Sequence, residues 1–180
     1  MNDVPGGAPF SRISDYQPLI RATDGLTLSQ ICMICKLEPS TIQNWIKRGF
    51  VPHPVKKKYY ERHLARILLI SELREAMQIE RVGELLSFIN GDTDDESDDI
   101  IEEERLYDVF RDIMISLKGL PSSPEDVAKL TAGKAEELLS DIPPDSRKKV
   151  YEALQIMAYT YVSGLYKDMA DKMFNTVIRK

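Results

Sequence analysis

The chain has 180 residues, of which 43% are hydrophobic and 29% are charged, a composition that excludes disorder throughout and allows one good core or two small ones. The longest apolar-rich run, residues 64–70, is interrupted by an arginine and is too short to span a bilayer, and the N-terminus lacks a basic region followed by an apolar one. We therefore expect a cytoplasmic protein without a membrane partner. Cys32 and Cys35 are expected to be reduced, because no second pair exists for a disulfide framework.

The charge is unevenly distributed along the chain. The net charge of -5 by itself argues against a nucleic-acid partner. Residues 1–90, however, hold 12 Lys/Arg and 9 Asp/Glu, whereas residues 91–180 hold 12 and 20. The basic excess is concentrated in residues 36–66, which carry eight basic and two acidic residues. A local basic window of this kind is typical of a nucleic-acid-binding surface.

The N-terminal region is predicted to be irregular up to the first capping signal. Residues 1–25 contain scattered prolines and glycines without a sustained period, so we predict an irregular arm. Thr27 followed three residues later by Gln30 is a capping-box pattern. Apolar residues then recur at helical spacing, which predicts a short helix over residues 28–35.

A second short helix is predicted after a three-residue turn. Pro39 suits its first position, and Gly49 is expected to end it in a left-handed conformation. Ile42, Trp45 and Ile46 share its inward face, so the single tryptophan is predicted to be a core anchor. The outward face is polar and basic.

A basic loop or short strand pair follows. Pro52 and Pro54 are incompatible with a helix, and residues 55–60 contain three lysines and two tyrosines. Two further amphipathic helices are predicted, at about residues 64–77 and 81–90. In the first of these, leucines and isoleucines face inward and Arg66, Arg74 and Glu75 are expected in water.

An acidic segment separates the two halves of the sequence. Nine of the thirteen residues from 92 to 104 are acidic, which favours a flexible, solvated linker over residues 91–104. An alternative is that the segment folds back on Lys56–Lys58 and competes with phosphate. A calcium site of EF-hand type is disfavoured, since Ser97 stands where the turn requires glycine.

The remaining residues, 105–180, are predicted to form a helical domain. Helices are expected at about residues 101–117, after Ser123-Pro124, and from residue 146 to about 177. The middle of the last helix is apolar nearly all round and needs partners on more than one side. It is either a dimer seam or ligand pocket, or part of a monomeric three-helix core. The candidate residues for the seam or pocket are Leu154, Met157, Tyr161, Val162 and Leu165.

The two short helices, their turn and the basic hairpin have the geometry by which proteins enter the major groove. Hydroxyl and amide side chains on the second helix can pair with base edges, and the lysines can neutralise phosphates. The candidate DNA-binding residues are Ser40, Thr41, Gln43, Asn44, Lys47, Arg48, Lys56, Lys57, Lys58 and Tyr59.

Three motifs carry a family resemblance: the opening T-L-S-Q-I, the helix end I-K-R-G-F-V-P, and a basic wing leading through Tyr59 into L-x-x-I-L-x-I-x-x-L-R. The run from Leu26 to Leu86 resembles the winged helix-turn-helix domain of MerR-type transcription regulators. The resemblance implies DNA contacts at the start of the recognition helix and in the wing, which correspond here to Ser40, Thr41, Gln43, Asn44, Lys56, Lys57 and Tyr59. The family usually has an arginine where Ser40 stands. The acidic segment and C-terminal helices resemble a poorly characterised bacterial MerR-like group.

We therefore predict an all-α protein with a MerR-like winged helix-turn-helix over residues 26–90, followed by a C-terminal helical bundle. The predicted function is sequence-specific transcription regulation, with helix 39–48 in the major groove and the wing 55–60 on phosphates. Double-stranded DNA and a second copy of the chain are the expected partners, with a possible small-molecule effector in the C-terminal helices. The alternative is a protein-interaction module on the same scaffold without DNA binding.

Catalysis is not expected from this sequence. It has no glycine-rich phosphate loop, no nucleophile elbow and no metal-binding helix motif. We expect no cofactor and no metal, because zinc at Cys32 and Cys35 would need two more ligands and only His53 and His63 are available.

Overall fold

The computed structural model describes residues 11–119 and 123–179, and the described part of the chain is all-α, as predicted. A 3-10 turn (Ile13–Tyr16) precedes eight helices. These are α1 (Gln17–Ala22), α2 (Leu28–Cys35), α3 (Pro39–Lys47), α4 (Glu61–Leu73), α5 (Ile79–Asn90), α6 (Glu103–Leu117), α7 (Pro124–Leu138) and α8 (Pro144–Ile178). Extended pairing among the described residues is limited to two isolated bridges, Leu26 with Tyr59 and Val55 with Lys58. No helix in this part of the chain has the length and apolarity to cross a membrane.

Helix α4 is the centre of the fold. It packs against α2, α5, α6 and α8 and against the N-terminal 3-10 turn. Ten of its thirteen residues are buried, which its nearly continuous apolar run explains. Arg66 is among the ten, although the helical pattern predicts it in water. The buried side chains from Ile13 to Val162 form one hydrophobic cluster, so the N-terminal and C-terminal helices share a core.

The N-terminal arm is helical from residue 13, where the sequence predicts irregular structure. Ile13 and Ile20 are buried, at 1% and 2% exposure, in the same core as α4 and α6. The backbone N–H of Ile13 donates to Asp108 of α6 at 3.0 Å, and Arg12 pairs with Asp112 at 2.8 Å. A helix of six residues is too short to display a period, so only its tertiary contacts identify it. Residues 1–10 of the predicted arm lie outside the described residues.

The acidic segment, which the sequence predicts as a flexible, solvated linker, keeps most of its carboxylates exposed and contacts α4 and the loop after α3. The Asn90 side chain, just before the segment, joins its two ends. It donates to the Ile101 carbonyl at 2.7 Å and accepts from the Ile101 N–H at 3.3 Å. Arg62 of α4 pairs with Glu96 at 2.9 Å, and His53 pairs with Asp94 at 2.9 Å. Ion pairs with residues distant in the chain hold the segment against these partners, and such pairs do not follow from composition alone. Among the described residues the segment contacts these partners and not Lys56–Lys58, the target named in the alternative expectation.

Helix α8 closes the bundle by packing on α4, α5, α6 and α7. Leu154 and Met157 are fully buried, Tyr161 and Val162 are nearly so, and Leu165 is partly buried against the core. These five residues were one candidate for a dimer seam or ligand pocket. In the structure they lie in the core of the single chain, the other alternative that the sequence leaves open, because four helices cover the apolar middle of α8. The exposed part of α8 begins after Leu165.

Candidate nucleic-acid interface

The helix pair α2 and α3 is positioned by local sequence signals. The Thr27 N–H donates to Gln30 Oε1 at 2.8 Å and the Gln30 N–H donates to Thr27 Oγ1 at 3.3 Å, which confirms the predicted capping box. Lys36 ends α2 in a left-handed conformation, with φ of 54°. Pro39 occupies the first turn of α3, and Gly49 follows it with φ of 76°. The positions of Pro39 and Gly49 agree with the sequence predictions.

The inward face of α3 anchors the helix to the core. Ile42 is fully buried and Trp45 is 5% exposed, as predicted, while Ile46 is partly buried. The Arg74 guanidinium lies 5.4 Å from the centre of the Trp45 ring, a cation–π contact from the end of α4. These contacts hold α3 in one orientation and leave its opposite face in solvent.

The outward face of α3 carries the predicted polar residues. Ser40, Gln43, Asn44, Lys47 and Arg48 are exposed, and Thr41 is partly buried. Part of this face lines an open groove of about 620 Å³, whose other wall is the turn between α4 and α5. Arg74 and Gln78 also line the groove. Sequence reasoning missed these two residues, because only the packing of α4 and α5 brings them beside α3.

Arg48, at the end of α3, makes two contacts with neighbouring side chains. It forms an ion pair with exposed Glu80, and its guanidinium lies 4.7 Å from the centre of the Phe50 ring. Both partners are near the surface, so the pair is of the weak, exposed kind and leaves Arg48 able to exchange partners.

The basic hairpin is a tight two-residue turn. Val55 and Lys58 exchange backbone hydrogen bonds of 3.0 and 2.9 Å, and Lys56 and Lys57 occupy the turn with φ of 50° and 64°. Two successive positive φ values are the requirement of the type I′ hairpin, which normally selects Asn and Gly. Both lysine side chains are exposed. The turn therefore presents two adjacent cations at its tip at a cost in backbone strain.

Lys58 is partly buried and Tyr59 is buried, and both hold the hairpin in place, whereas the sequence predicts them as DNA-binding residues. The Lys58 ammonium donates to the carbonyls of Thr23 at 2.7 Å and Gly25 at 3.1 Å, at the end of α1. Tyr59 is 4% exposed, and its backbone exchanges hydrogen bonds of 2.7 and 2.9 Å with Leu26. Burial raises the pKa of the Tyr59 phenol. These two residues anchor the wing, and the sequence offered no signal for the helix end that receives Lys58.

Only some of the basic residues between positions 36 and 66 are exposed in the structure. Arg62 pairs with Glu96, and Arg66 is buried and pairs with buried Glu103. Arg66 also donates to the Phe50 carbonyl at 3.0 Å and to Thr93 Oγ1 at 3.3 Å. The exposed cations that remain in the window are Lys36, Lys47, Arg48, Lys56 and Lys57.

The loop between α3 and the wing is tied to the acidic segment. The Asp94 carboxylate accepts from the backbone N–H of His53 at 2.8 Å and contacts its Nδ1 at 2.9 Å, and these interactions lower the pKa of Asp94. His63 Nε2 lies 3.1 Å from the His53 carbonyl, and His63 Nδ1 accepts from the Tyr60 N–H at 3.1 Å. Burial lowers the pKa of His63, which favours the neutral imidazole that this acceptor role requires.

Comparison with known proteins identifies a match over this region. A family described as a domain of unknown function (DUF1836) matches residues 26–110. The match begins at the residue that pairs with the wing and ends within α6, so it includes the acidic segment. The chain is also similar to "Uncharacterized protein YkrK" of Bacillus subtilis (strain 168), with 24% identity over 145 residues, covering 77% of this chain and 62% of the relative. The chain thus spans less than two thirds of that relative's length. No solved structure matches the chain significantly.

Proposed function

We propose that the protein is a sequence-specific DNA-binding transcription regulator with a MerR-like winged helix-turn-helix. In this proposal α3 is the recognition helix and the turn at Lys56 and Lys57 is the tip of the wing. The observation that carries the proposal is the exposed polar face of α3, which is followed in the chain by a rigid hairpin with two exposed lysines. A helix in the major groove with cations on the flanking phosphates is a common arrangement in DNA-binding proteins.

The roles of the residues follow from their chemistry. Gln43 and Asn44 carry amides that can form bidentate hydrogen bonds with adenine, and Ser40 can donate to a base or a phosphate. Lys47, Lys56 and Lys57 carry exposed charges that suit phosphate contacts. Lys58 and Tyr59 support the wing without contacting DNA. No role in catalysis is proposed for any of these side chains.

The second candidate function is a protein-interaction module on the same scaffold. It is favoured by acidic residues that lie close to the proposed DNA surface and would repel phosphates, at Glu80 beside Arg48 and at Asp94 beside His53. The two functions differ in their response to salt. Phosphate contacts weaken steeply as salt rises, whereas an apolar protein interface does not.

The test is binding to DNA fragments from the region upstream of the protein's own gene, at several salt concentrations. The wild type is expected to bind its own fragment more tightly than competitor DNA. The variant Lys56→Ala/Lys57→Ala should weaken binding to all fragments and lower the slope of log K against log salt by about 2, one for each lost phosphate contact. Asn44→Ala should instead weaken preferred DNA by about 1–3 kcal/mol and leave competitor binding nearly unchanged.

The matched control is Lys129→Ala/Lys148→Ala, which removes two exposed lysines from α7 and α8. It changes the net charge equally but should leave the salt slope at its wild-type value. Equal losses in both double variants would assign the effect to overall charge. Absence of wild-type binding at low salt would reject the proposed function in favour of the protein-interaction module.

A further inference from the structure

The loop between α3 and the wing depends on other elements for its position. Residues 51–54 make no hydrogen bond between backbone atoms in the described part of the chain. Pro52 and Pro54 have no backbone N–H to donate, so the loop cannot form a regular ladder. Because this loop joins α3 to the wing, the groups that hold its backbone also set the geometry of the proposed DNA surface.

Side chains from α4 and from the acidic segment hold this loop by its backbone. Arg66 of α4 donates to the Phe50 carbonyl at 3.0 Å, at the start of the loop. His63 of α4 contacts the His53 carbonyl at 3.1 Å through its Nε2 atom. Asp94 of the acidic segment accepts from the His53 N–H at 2.8 Å and contacts the ring of the same residue at 2.9 Å. The loop therefore lies between the central helix and the acidic segment and is bonded to both.

The acidic segment is itself held in place on both sides of Asp94. The Asp98 carboxylate closes its first turn, and a Cβ atom on Gly91 would overlap Asp98 Oδ2, so only glycine fits there. Arg66, which binds the loop, also donates to Thr93 Oγ1 at 3.3 Å. The segment and the loop thus share one buried guanidinium directly beside Asp94, and Asp94 contacts the loop from a fixed position.

We propose that Asp94 is a positioning residue for DNA binding, which holds the wing through the loop at the place relative to α3 that the DNA requires. The purpose rests on the proposed function, whereas the holding of the wing does not. Asp94 is 53% exposed beside a surface that would bind phosphates, and a carboxylate there repels them. Its charge therefore lowers DNA affinity, while its hydrogen bonds to the loop raise it, so the two effects predict opposite results on substitution.

The first test compares two variants of Asp94 that lose the same charge and differ in hydrogen bonding. Asparagine has an oxygen that can accept from the His53 N–H and an NH2 group that can donate to a neutral His53 Nδ1, whereas alanine has neither. We expect Asp94→Ala to weaken binding to the preferred DNA about fivefold or more, and Asp94→Asn to bind at least as tightly as the wild type. Urea denaturation checks that both variants are folded under the binding conditions.

The matched control is Asp95→Ala, which truncates the next carboxylate along the chain. The Asp95 side chain accepts from the Ser97 N–H within the segment, at 2.9 Å, and its removal should not weaken DNA binding. Affinity that rises equally in Asp94→Ala and Asp94→Asn would show that Asp94 acts by its charge alone. That result, an unchanged affinity in Asp94→Ala, or an equal loss in Asp95→Ala overturns the proposal.

The second test needs no DNA. Nitroxide labels on Gln43→Cys and Lys57→Cys, in protein that also carries Cys32→Ala and Cys35→Ala, report the distance between α3 and the tip of the wing by pulsed electron spin resonance. Asp94→Ala should shift or broaden the distribution of this distance, and Asp94→Asn should leave it unchanged. An unchanged distribution in Asp94→Ala overturns the proposal even if the protein binds DNA. A broadened distribution in a protein that does not bind DNA would support the holding of the wing and reject the proposed function alone.

Discussion

The two lysines at the tip of the wing combine backbone strain with exposed charge. Each adopts a left-handed conformation, which costs an L residue with a side chain about 1–2 kcal/mol. Asn and Gly adopt the same turn with little strain, yet they carry no charge. Such strain at an exposed pair of cations is typical of a site where binding has been favoured over stability.

The variant Lys56→Asn/Lys57→Gly should therefore separate stability from binding. We expect its free energy of unfolding to rise by about 1 kcal/mol and its DNA affinity to fall as far as that of Lys56→Ala/Lys57→Ala. Urea denaturation and DNA titration measure the two effects. The alanine variant is the control, because it removes the charges while keeping the strain. An Asn-Gly variant no more stable than the alanine variant would show that strain is absent from the wing.

The elements are joined by a buried ion pair between α4 and α6. Arg66 and Glu103 are 2% and 1% exposed in their side chains, and Arg66 also binds the loop after α3 and the acidic segment. One oxygen of Glu103 has no hydrogen-bond partner in the described part of the chain. A buried carboxylate of this kind depends strongly on its single cation.

Removal of that cation should be costly. Arg66→Met is expected to lower the free energy of unfolding by about 3–5 kcal/mol, because it leaves the buried Glu103 carboxyl without its partner. The double variant Arg66→Met/Glu103→Leu should recover most of the loss. Arg12→Met is the control, since Arg12 is 46% exposed and its pair with Asp112 should contribute at most about 1 kcal/mol. Urea denaturation of the four proteins tests this, and equal losses in both single variants would contradict it.

At the scale of the whole molecule, Glu72 makes stability depend on pH. This carboxyl lies on α4 near Tyr107 of α6 and Tyr161 of α8, whose phenol pKa values are raised by burial and, to a smaller extent, by Glu72 itself. Burial, followed by repulsion from Glu75, raises the pKa of Glu72 to about 7. The contribution of Glu72 to the free energy of unfolding is therefore fully present below the ordinary glutamate pKa. It is lost as pH rises through 7, where the carboxyl ionises.

Glu72→Gln should remove this dependence. The variant is expected to match the wild type near pH 4 and to exceed its free energy of unfolding by about 2 kcal/mol at pH 8, where the wild type must bury a carboxylate. Asp99, whose pKa burial raises to about 6, titrates in the same range. The measurement is therefore the difference between variant and wild type in urea denaturation at several pH values. A difference that stays constant with pH would show that Glu72 does not cause the pH dependence of stability.

The amino-acid sequence by itself determined the helices from α2 onward and the local signals around α2 and α3. The Thr27 capping box, Pro39 at the start of α3, Gly49 after it and the burial of Trp45 all follow from interactions within a few residues or from a period of 3.6. The same rules identified which residues of α3 face solvent. They identify no contact between residues that are far apart in the chain.

Only the tertiary structure decided which charges are available and which apolar faces are covered. Lys58 binds Thr23 and Arg66 binds Glu103, across 35 and 37 residues of sequence. The middle of α8 is buried by four other helices, while its C-terminal third remains open. Periodicity shows that a helix has an apolar side, but a partner's position depends on how all the helices pack, since burial and ion pairing are properties of the assembled core.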